Sequence, residues 1–151
     1  GSSTGGFVQI LLENGVKSVT AVDVGSNQLH HSLRDNPKVE IFEETDIRDF
    51  QSDIAFDIVT CDVSFISILQ IIEDIDRLSD SDMILLFKPQ FEVGRGVKRD
   101  SRGVVVNLEA IAEAKCRFEE KAIELGWELC YSTPSKLSGK SGNIEYLFRK
   151  I

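Results

Sequence analysis

The sequence lacks a long apolar segment, a signal peptide and a cysteine framework. Its longest apolar runs, residues 65–69 and 83–87, are far shorter than the about 20 residues that a membrane-spanning helix needs. No amino-terminal stretch resembles a signal peptide. The three cysteines are scattered and odd in number, which indicates neither a disulfide framework nor a zinc site. These absences predict a cytoplasmic protein without stable membrane association and without a bound metal.

Positive charge is also scarce. The chain has 17 Lys and Arg residues against 25 Asp and Glu residues, which gives a net charge of −8. A protein that binds nucleic acid unaided is usually basic. We therefore expect RNA affinity, if the chain has an RNA substrate, to come from a partner domain. The acidic excess otherwise serves as a solubilising surface.

Predicted strands alternate with predicted helices along a chain whose 151 residues suit one domain. The valine-rich and apolar runs at 18–23, 39–43, 56–62 and 83–88 predict strands. Helical spacing occurs at 7–12, 27–34, 66–78 and 108–125, and residues 90–105 predict a long loop. This alternation is typical of α/β folds with a mostly parallel sheet.

The end of the chain departs from this alternation. Residues 127–132 and 143–149 predict two strands with no helix between them, which favours a terminal hairpin with an antiparallel last strand. The helix before them, at 108–125, offers apolar positions for a buried stripe. These positions are Leu108, Ile111, Ala112, Cys116, Ala122, Ile123 and Leu125.

A glycine-rich turn, Gly-Ser-Ser-Thr-Gly-Gly at residues 1–6, precedes the first helix. A glycine turn lets a ligand approach the backbone closely, and the following helix offers free N–H groups to a negative group. The spacing is not G-x-G-x-x-G, which disfavours a nicotinamide dehydrogenase. The turn therefore indicates a cofactor site, with an ordinary loop as the alternative. The expected contacts are Gly1, Ser3, Gly5 and Gly6.

Acidic residues follow the next two strands. Asp23, with Val24 beside it, ends the strand at 18–23, and a carboxylate there could accept hydrogen bonds from ribose hydroxyls. Asp46 and Ile47 follow the strand at 39–43 and could meet the edge and face of an adenine ring. Together with the glycine turn, these residues predict a nucleoside-bearing cofactor.

Five motifs in order carry a family resemblance. They are Gly-Ser-Ser-Thr-Gly-Gly-Phe (1–7), Ala-Val-Asp-Val-Gly (21–25), Asp-Val-Ser-Phe-Ile-Ser (62–67), Lys-Pro-Gln-Phe-Glu (88–92) and Gly-Asn-Ile-Glu (142–145). The pattern resembles the TlyA/hemolysin-A group of ribosomal-RNA 2′-O-ribose methyltransferases, within the FtsJ-like methyltransferases. The resemblance covers nearly the whole chain.

The resemblance implies a Rossmann-like class I methyltransferase that uses S-adenosyl-L-methionine and methylates ribose 2′-oxygens of ribosomal RNA. Such enzymes use a Lys-Asp-Lys-Glu tetrad, and Asp62, Lys88 and Glu145 match its last three members. Asp62 also belongs to the expected cofactor contacts. The first lysine, the first sheet strand and an S4-like RNA-binding domain would precede Gly1. Residues 1–151 are thus expected to form an amino-terminally truncated methyltransferase domain with a gap in its sheet.

Each candidate catalytic residue has a simpler interpretation. Asp62 could cap a helix or solvate a loop, Lys88 could solubilise a strand end, and Glu145 could be an exposed edge charge. Lys88 acts as a base only if burial or a neighbouring cation lowers its pKa; otherwise it positions the hydroxyl. The basic residues of the 90–105 loop either track RNA phosphates or are simply solvated. They are Arg95, Lys98, Arg99 and Arg102.

Three other functions remain open at this level. The chain could methylate another substrate, or it could be a non-catalytic module that binds the cofactor or associates with RNA. A membrane-active hemolysin is the third, suggested by the family's name and disfavoured by the short apolar runs.

Overall fold

A computed structural model describes residues 1–136 and 143–151 and divides them into two compact units, residues 1–52 and the described residues from 53 onward. The first unit contains α1 (Gly6–Glu13), β1 (Val19–Val22), α2 (His31–Arg34) and β2 (Val39–Phe42). The second contains β3 (Phe56–Cys61), a 3₁₀ turn (Ile68–Gln70), α3 (Ile72–Leu78), β4 (Ser79–Phe87), α4 (Pro89–Glu92), α5 (Leu108–Glu124), β5 (Trp127–Pro134) and β6 (Ile144–Lys150). The α/β prediction is confirmed.

In the first unit, β1 and β2 pair in parallel over four residues, from Val19 opposite Val39 to Val22 opposite Phe42. The Asp23 N–H donates to the Phe42 carbonyl at 3.0 Å. Because successive backbone groups of a strand point to opposite sides, the Val22 carbonyl faces away from β2, where it accepts the Ser2 N–H at 3.0 Å. The glycine-rich turn therefore lies against the free side of β1.

The second unit has a four-stranded sheet in the order β3-β4-β6-β5. β3 and β4 are parallel, and β6 is antiparallel to both β4 and β5. The predicted hairpin with an antiparallel last strand is confirmed, although its connecting loop, at 137–142, lies outside the described residues. Among the described residues the strands form two separate sheets, one in each unit.

An aromatic cluster forms the core of the second unit. One face of β4 buries Met83, Leu85 and Phe87, and the opposite strand β6 buries Tyr146 and Phe148 on the same side. α5 inserts one large side chain among them. Phe118 lies with its ring centroid 5.7 Å from that of Phe87, 5.3 Å from Tyr146 and 5.7 Å from Phe148. The other face of β4 remains half-buried.

The predicted stripe of α5 is largely wrong. The buried residues are Ala114, Phe118 and Ala122, at four-residue spacing, whereas Leu108 and Ile123 are 79% and 68% exposed. Phe118 sets this orientation because its ring fills the space above the sheet. The position of Cys116, two residues away, is rotated by about 200° and faces solvent. Ala122 is the one member of the predicted stripe that is buried.

Other element boundaries also differ from the predictions. The helix expected at 27–34 is confined to α2, and the one expected at 66–78 is divided at Ile71 into the 3₁₀ turn and α3. Residues 90–92, expected to be loop, belong to α4, and Pro89 occupies the first turn of that helix because its fixed φ suits the position. β4 begins four residues earlier than predicted, at Ser79.

Candidate active site

Asp23 is bonded directly to the glycine-rich turn. Its Oδ2 accepts the Ser3 N–H at 2.7 Å, and its Oδ1 accepts the Gly25 N–H at 2.8 Å. These two bonds hold the turn against the end of β1. Each carboxylate oxygen has a second acceptor position. Asp23 thus lies against the turn, with capacity left for a hydroxyl donor.

The two adjacent glycines of the turn serve different needs. Gly5 is buried with φ +105°, and a Cβ there would lie 2.3 Å from Leu33 Cδ1 and 2.7 Å from Leu29 Cδ1. Gly5 is therefore required by packing and by its left-handed backbone. A Cβ at Gly6, the first residue of α1, would meet nothing within 4 Å. The helix start is open to an incoming group at Gly6.

A concavity of about 430 Å³ lies beside the turn in the first unit. It is lined by Thr4, Gly5, Gly6, Gln9, His30, Ser32 and Leu33. His30 caps α2 by accepting the Ser32 N–H at its side chain. Of the residues that the sequence predicts for the cofactor, Gly5 and Gly6 line this concavity, whereas Asp23 and Asp46 do not.

Glu43 organises the segment that supports the turn, a role that the sequence analysis missed. Its carboxylate accepts the N–H groups of Asn27, Gln28 and Leu29 at 2.7, 2.9 and 3.0 Å. The Arg34 guanidinium contacts both oxygens, at 2.5 and 2.6 Å. That guanidinium first, and then the backbone donors, lower the pKa of Glu43 to about 2.

This segment reaches the turn through the backbone. The His30 N–H, one residue beyond the last Glu43 bond, donates to the Thr4 carbonyl at 3.0 Å. Glu43 therefore acts on the turn through residues 27–30. The sequence shows that an acidic residue directly follows β2. It does not show the hydrogen-bond partners of that residue, which lie 9 to 16 positions earlier in the chain.

Asp46 and Ile47, predicted to contact adenine, and Val24 are the remaining predicted cofactor contacts of the first unit. Asp46 accepts the backbone N–H and the guanidinium of Arg48, at 2.9 and 2.6 Å, and the Arg48 bonds lower its pKa to about 2. Ile47 is half-buried, and Val24 is 70% exposed. The exposed Val24 side chain, next to Asp23, leaves apolar surface for a ring; the adenine contacts of Asp46 and Ile47 stay predictions.

Asp62 and Lys88, which match two members of the tetrad that the resemblance implies, are in contact. Lys88 Nζ lies 2.5 Å from Asp62 Oδ1, and the Lys88 side chain is only 14% exposed. The contact is a close ion pair in which Asp62 Oδ1 is buried without a well-aligned hydrogen bond. Lys88 Nζ also donates to Ser64 Oγ at 3.1 Å. A lysine held this way is not a solubilising strand end.

The sheet register places Glu145 on the same face. Cys61 of β3 pairs with Leu85, and Leu86 of β4 pairs with Glu145 of β6. Because side chains alternate along strands, Glu145 shares a face with Asp62 and Lys88, each of which directly follows its strand. Among the described residues, the Glu145 carboxylate accepts from Ser135 Oγ at 2.8 Å and makes no ion pair. Since β6 lies inside the sheet, Glu145 is not an edge charge.

A second set of contacts fastens the segment that follows β3 to the segment that follows β4. Glu92 is 9% exposed, and its carboxylate accepts Ser67 Oγ at 2.5 Å and the Ile68 N–H at 2.9 Å. Burial raises the pKa of Glu92. Phe65, with φ +68° and a 91% exposed side chain, lies with its ring centroid 5.3 Å from that of Phe91. We call these contacts the clasp; the sequence analysis quoted both motifs but did not predict it.

The described residues contain no group of three or more His, Cys, Asp or Glu side chains that could hold a metal ion. Across the same described part of the chain, no helix has the length and apolar character to cross a membrane.

Comparison with solved structures identifies the class of fold. An S-adenosylmethionine-dependent methyltransferase from Mesorhizobium loti superposes with a TM-score of 0.65 at 12% identity, over 99% of this chain and 88% of that one. The chain therefore has the Rossmann-like fold of methyltransferases. It belongs, more narrowly, to the FtsJ-like methyltransferase family, whose model matches residues 1–150.

Two relatives are much more similar in sequence. The 23S rRNA (cytidine-2′-O)-methyltransferase TlyA of Campylobacter jejuni is 53% identical over 151 residues, which are 100% of this chain and 60% of that protein. A proposed hemolysin from Lactococcus lactis, of known structure, is 30% identical with a TM-score of 0.89, over 100% of this chain and 76% of that one. The resemblance to the TlyA/hemolysin-A group is confirmed, and the chain spans about 60% of the length of the Campylobacter relative.

Proposed function

We propose that this chain is the catalytic domain of an enzyme that transfers a methyl group from S-adenosyl-L-methionine to a ribose 2′-oxygen of ribosomal RNA. The ion pair between the largely buried Lys88 and Asp62 carries the proposal, because it joins two members of the family's tetrad. The described activity of the Campylobacter relative supports the choice of ribosomal RNA. Such a substrate places the reaction in the cytoplasm.

The first unit has suitable chemistry for the adenosine part of the cofactor. Asp23 retains acceptor positions for two ribose hydroxyls, and Val24 offers exposed apolar surface next to it. Gly6 leaves the start of α1 open. These observations support the proposed contacts of the cofactor. The full proposed set is Gly1, Ser3, Gly5, Gly6, Asp23, Val24, Asp46, Ile47 and Asp62.

The cofactor supplies an activated methyl group, so the protein's task is to place and deprotonate a poor nucleophile. Lys88 is suited to hold the 2′-oxygen. As an ammonium paired with Asp62 at 2.5 Å, the Lys88 side chain can donate a hydrogen bond to that oxygen. As the oxygen gains the methyl group, its proton becomes strongly acidic and passes to the Asp62 carboxylate or to water. Lys88 thus positions the nucleophile, and Glu145 adds negative charge on the same face.

The test removes the Lys88 amine by substitution in the full-length protein. Lys88→Ala should abolish methyl transfer to ribosomal RNA, while the dissociation constant for S-adenosyl-L-methionine, measured by calorimetry, stays within about twofold. Lys17→Ala removes an exposed lysine of the first unit and serves as the matched control. Unchanged turnover in Lys88→Ala would refute the assignment.

A lytic function is suggested by the description of the Lactococcus lactis protein as a proposed hemolysin. Purified protein should not release hemoglobin from red cells, with or without S-adenosyl-L-methionine. Lysis that is independent of the cofactor would favour the hemolysin over the methyltransferase.

A further inference from the structure

Basic residues are concentrated in one segment of an acidic chain. Four of the 17 Lys and Arg residues fall between positions 95 and 102, where Asp100 is the only acidic residue. The chain as a whole has a net charge of −8. The four are Arg95, Lys98, Arg99 and Arg102. This segment therefore carries net positive charge in a chain whose net charge is negative.

Arg99 is used internally. Its guanidinium donates to the carbonyls of Val97 at 2.7 Å, Gln90 at 2.9 Å, Gly94 at 3.0 Å and Arg95 at 3.4 Å. Four carbonyls occupy most of its five donors. Arg99 therefore fastens the segment to the backbone of α4, at a residue only two positions from Lys88, and is not available to an external anion.

The residues around Arg99 form a small hairpin. Arg99 bridges Val105 in antiparallel fashion, and the Asp100 N–H donates to the Val104 carbonyl at 2.8 Å. At the tip, the Asp100 carboxylate accepts the N–H groups of Arg102 and Val104, both at 2.9 Å. These backbone bonds, the Val104 bond first, lower the pKa of Asp100. We call residues 95–106 the basic hairpin.

The other three cations point outward. Arg95 and Lys98 are exposed. The Arg102 side chain is 78% exposed and contacts Asp100 at 3.1 Å. An exposed ion pair is weak, so a phosphate can replace Asp100 as the partner of Arg102. Because their backbone is already fixed by Arg99, these side chains bind an anion with less loss of backbone entropy than a flexible loop would.

We propose that the basic hairpin is an RNA-binding surface whose Arg95, Lys98 and Arg102 contact backbone phosphates next to the nucleotide that Lys88 engages. This inference rests on the proposed function. Phosphate contacts position a nucleic acid without reading its sequence, which suits a surface anchored beside the catalytic lysine. RNA rather than an acidic protein is favoured because the methyl acceptor under the proposed function is a ribose 2′-oxygen of RNA.

The test compares binding and turnover in the complete gene product, with a ribosomal-RNA fragment as substrate. Arg95→Ala, Lys98→Ala, Arg102→Ala and the triple variant should raise KM for RNA, by about tenfold or more in the triple variant. Their kcat and their affinity for S-adenosyl-L-methionine should match the parent protein. Each lost contact should also reduce the slope of log K against log salt by about 0.7–0.9.

Lys17→Ala again provides the control, because it removes an exposed positive charge outside the hairpin. A triple variant with the parent's KM and salt slope would overturn the proposal, and so would an equal loss in Lys17→Ala, which would indicate a general charge effect. RNA binding that depends on the hairpin in a protein without methyl-transfer activity would support the surface while refuting the proposed function.

Discussion

At the scale of single residues, Gly5 and Gly6 differ in what a side chain would meet. Gly5→Ala introduces a Cβ at φ +105° that collides with Leu29 and Leu33. We expect a loss of about 1–3 kcal/mol in the stability of the first unit. Gly6→Ala is the matched control; with open space and a helical position, it should be neutral or stabilising by up to about 1 kcal/mol. Equal stabilities of the two variants in urea unfolding, without cofactor, would contradict the packing role of Gly5.

Glu43 should make the first unit sensitive to acid. Its pKa is lowered from 4.5 to about 2, so the folded protein binds this proton less readily than the unfolded chain. The stability it contributes is complete above pH 4.5 and is lost as the pH falls toward about 2. Glu43→Gln should flatten the decline in unfolding free energy over this range.

Asp46 has a similarly low pKa and contributes over a similar range, so the decline should vanish only in part. Glu43→Gln/Asp46→Asn should flatten it further. If the single Glu43 variant retained the parent's full pH dependence, the bonds from Arg34 and the 27–29 backbone would not explain the stability of this segment.

At the scale of elements, the packing energy of α5 comes from the helix face that carries Phe118. Phe118 is fully buried against three aromatic rings, whereas Ile123, of the predicted stripe, is 68% exposed. Phe118→Ala should cost about 3–5 kcal/mol of unfolding free energy, and Ile123→Ala should change it by less than about 0.5 kcal/mol. Denaturant midpoints of the two variants measure the difference; similar losses would mean that the helix packs on the predicted stripe.

The elements themselves were largely predictable from the sequence, because strand and helix periodicity is a local property. The predicted strand segments located all six strands of the described residues. The face of α5 was not predictable from hydrophobicity alone, since Ile123 and Ala122 are neighbours with opposite environments. The order β4-β6-β5 follows from which strand fits beside β4, and local pattern does not contain that information.

The candidate site residues could be predicted only where they lie in the motifs that carry the family resemblance. Asp62 and Lys88 lie in quoted motifs, and the structure brings them into contact. Glu43 and Glu92 were missed because their meaning depends on partners up to 16 and 25 residues away, Asn27 and Ser67. The sequence alone does not distinguish a buried carboxylate from an exposed one, because its hydrogen-bond donors come from distant positions in the chain.

At the scale of the whole molecule, the net charge of −8 limits what the chain can do alone. The basic hairpin is a small area in a negative molecule, so we expect this chain by itself to bind a ribosomal-RNA fragment with a dissociation constant of about 10⁻⁴ M or weaker at physiological salt. Fluorescence anisotropy at two salt concentrations measures it. Submicromolar binding by the chain alone would contradict the expectation that affinity comes from a partner domain.

The clasp has a consequence for how this sequence can change over evolutionary time. Glu92 is tolerated in its enclosed position only because Ser67 and the Ile68 N–H satisfy it. Replacing Ser67 by a residue without a hydroxyl removes one hydrogen-bond donor from the Glu92 carboxylate. Replacing Glu92 by an apolar residue leaves the Ser67 hydroxyl and the Ile68 N–H without this acceptor. The two positions should therefore covary, so that descendants exchange the pair together or keep it intact.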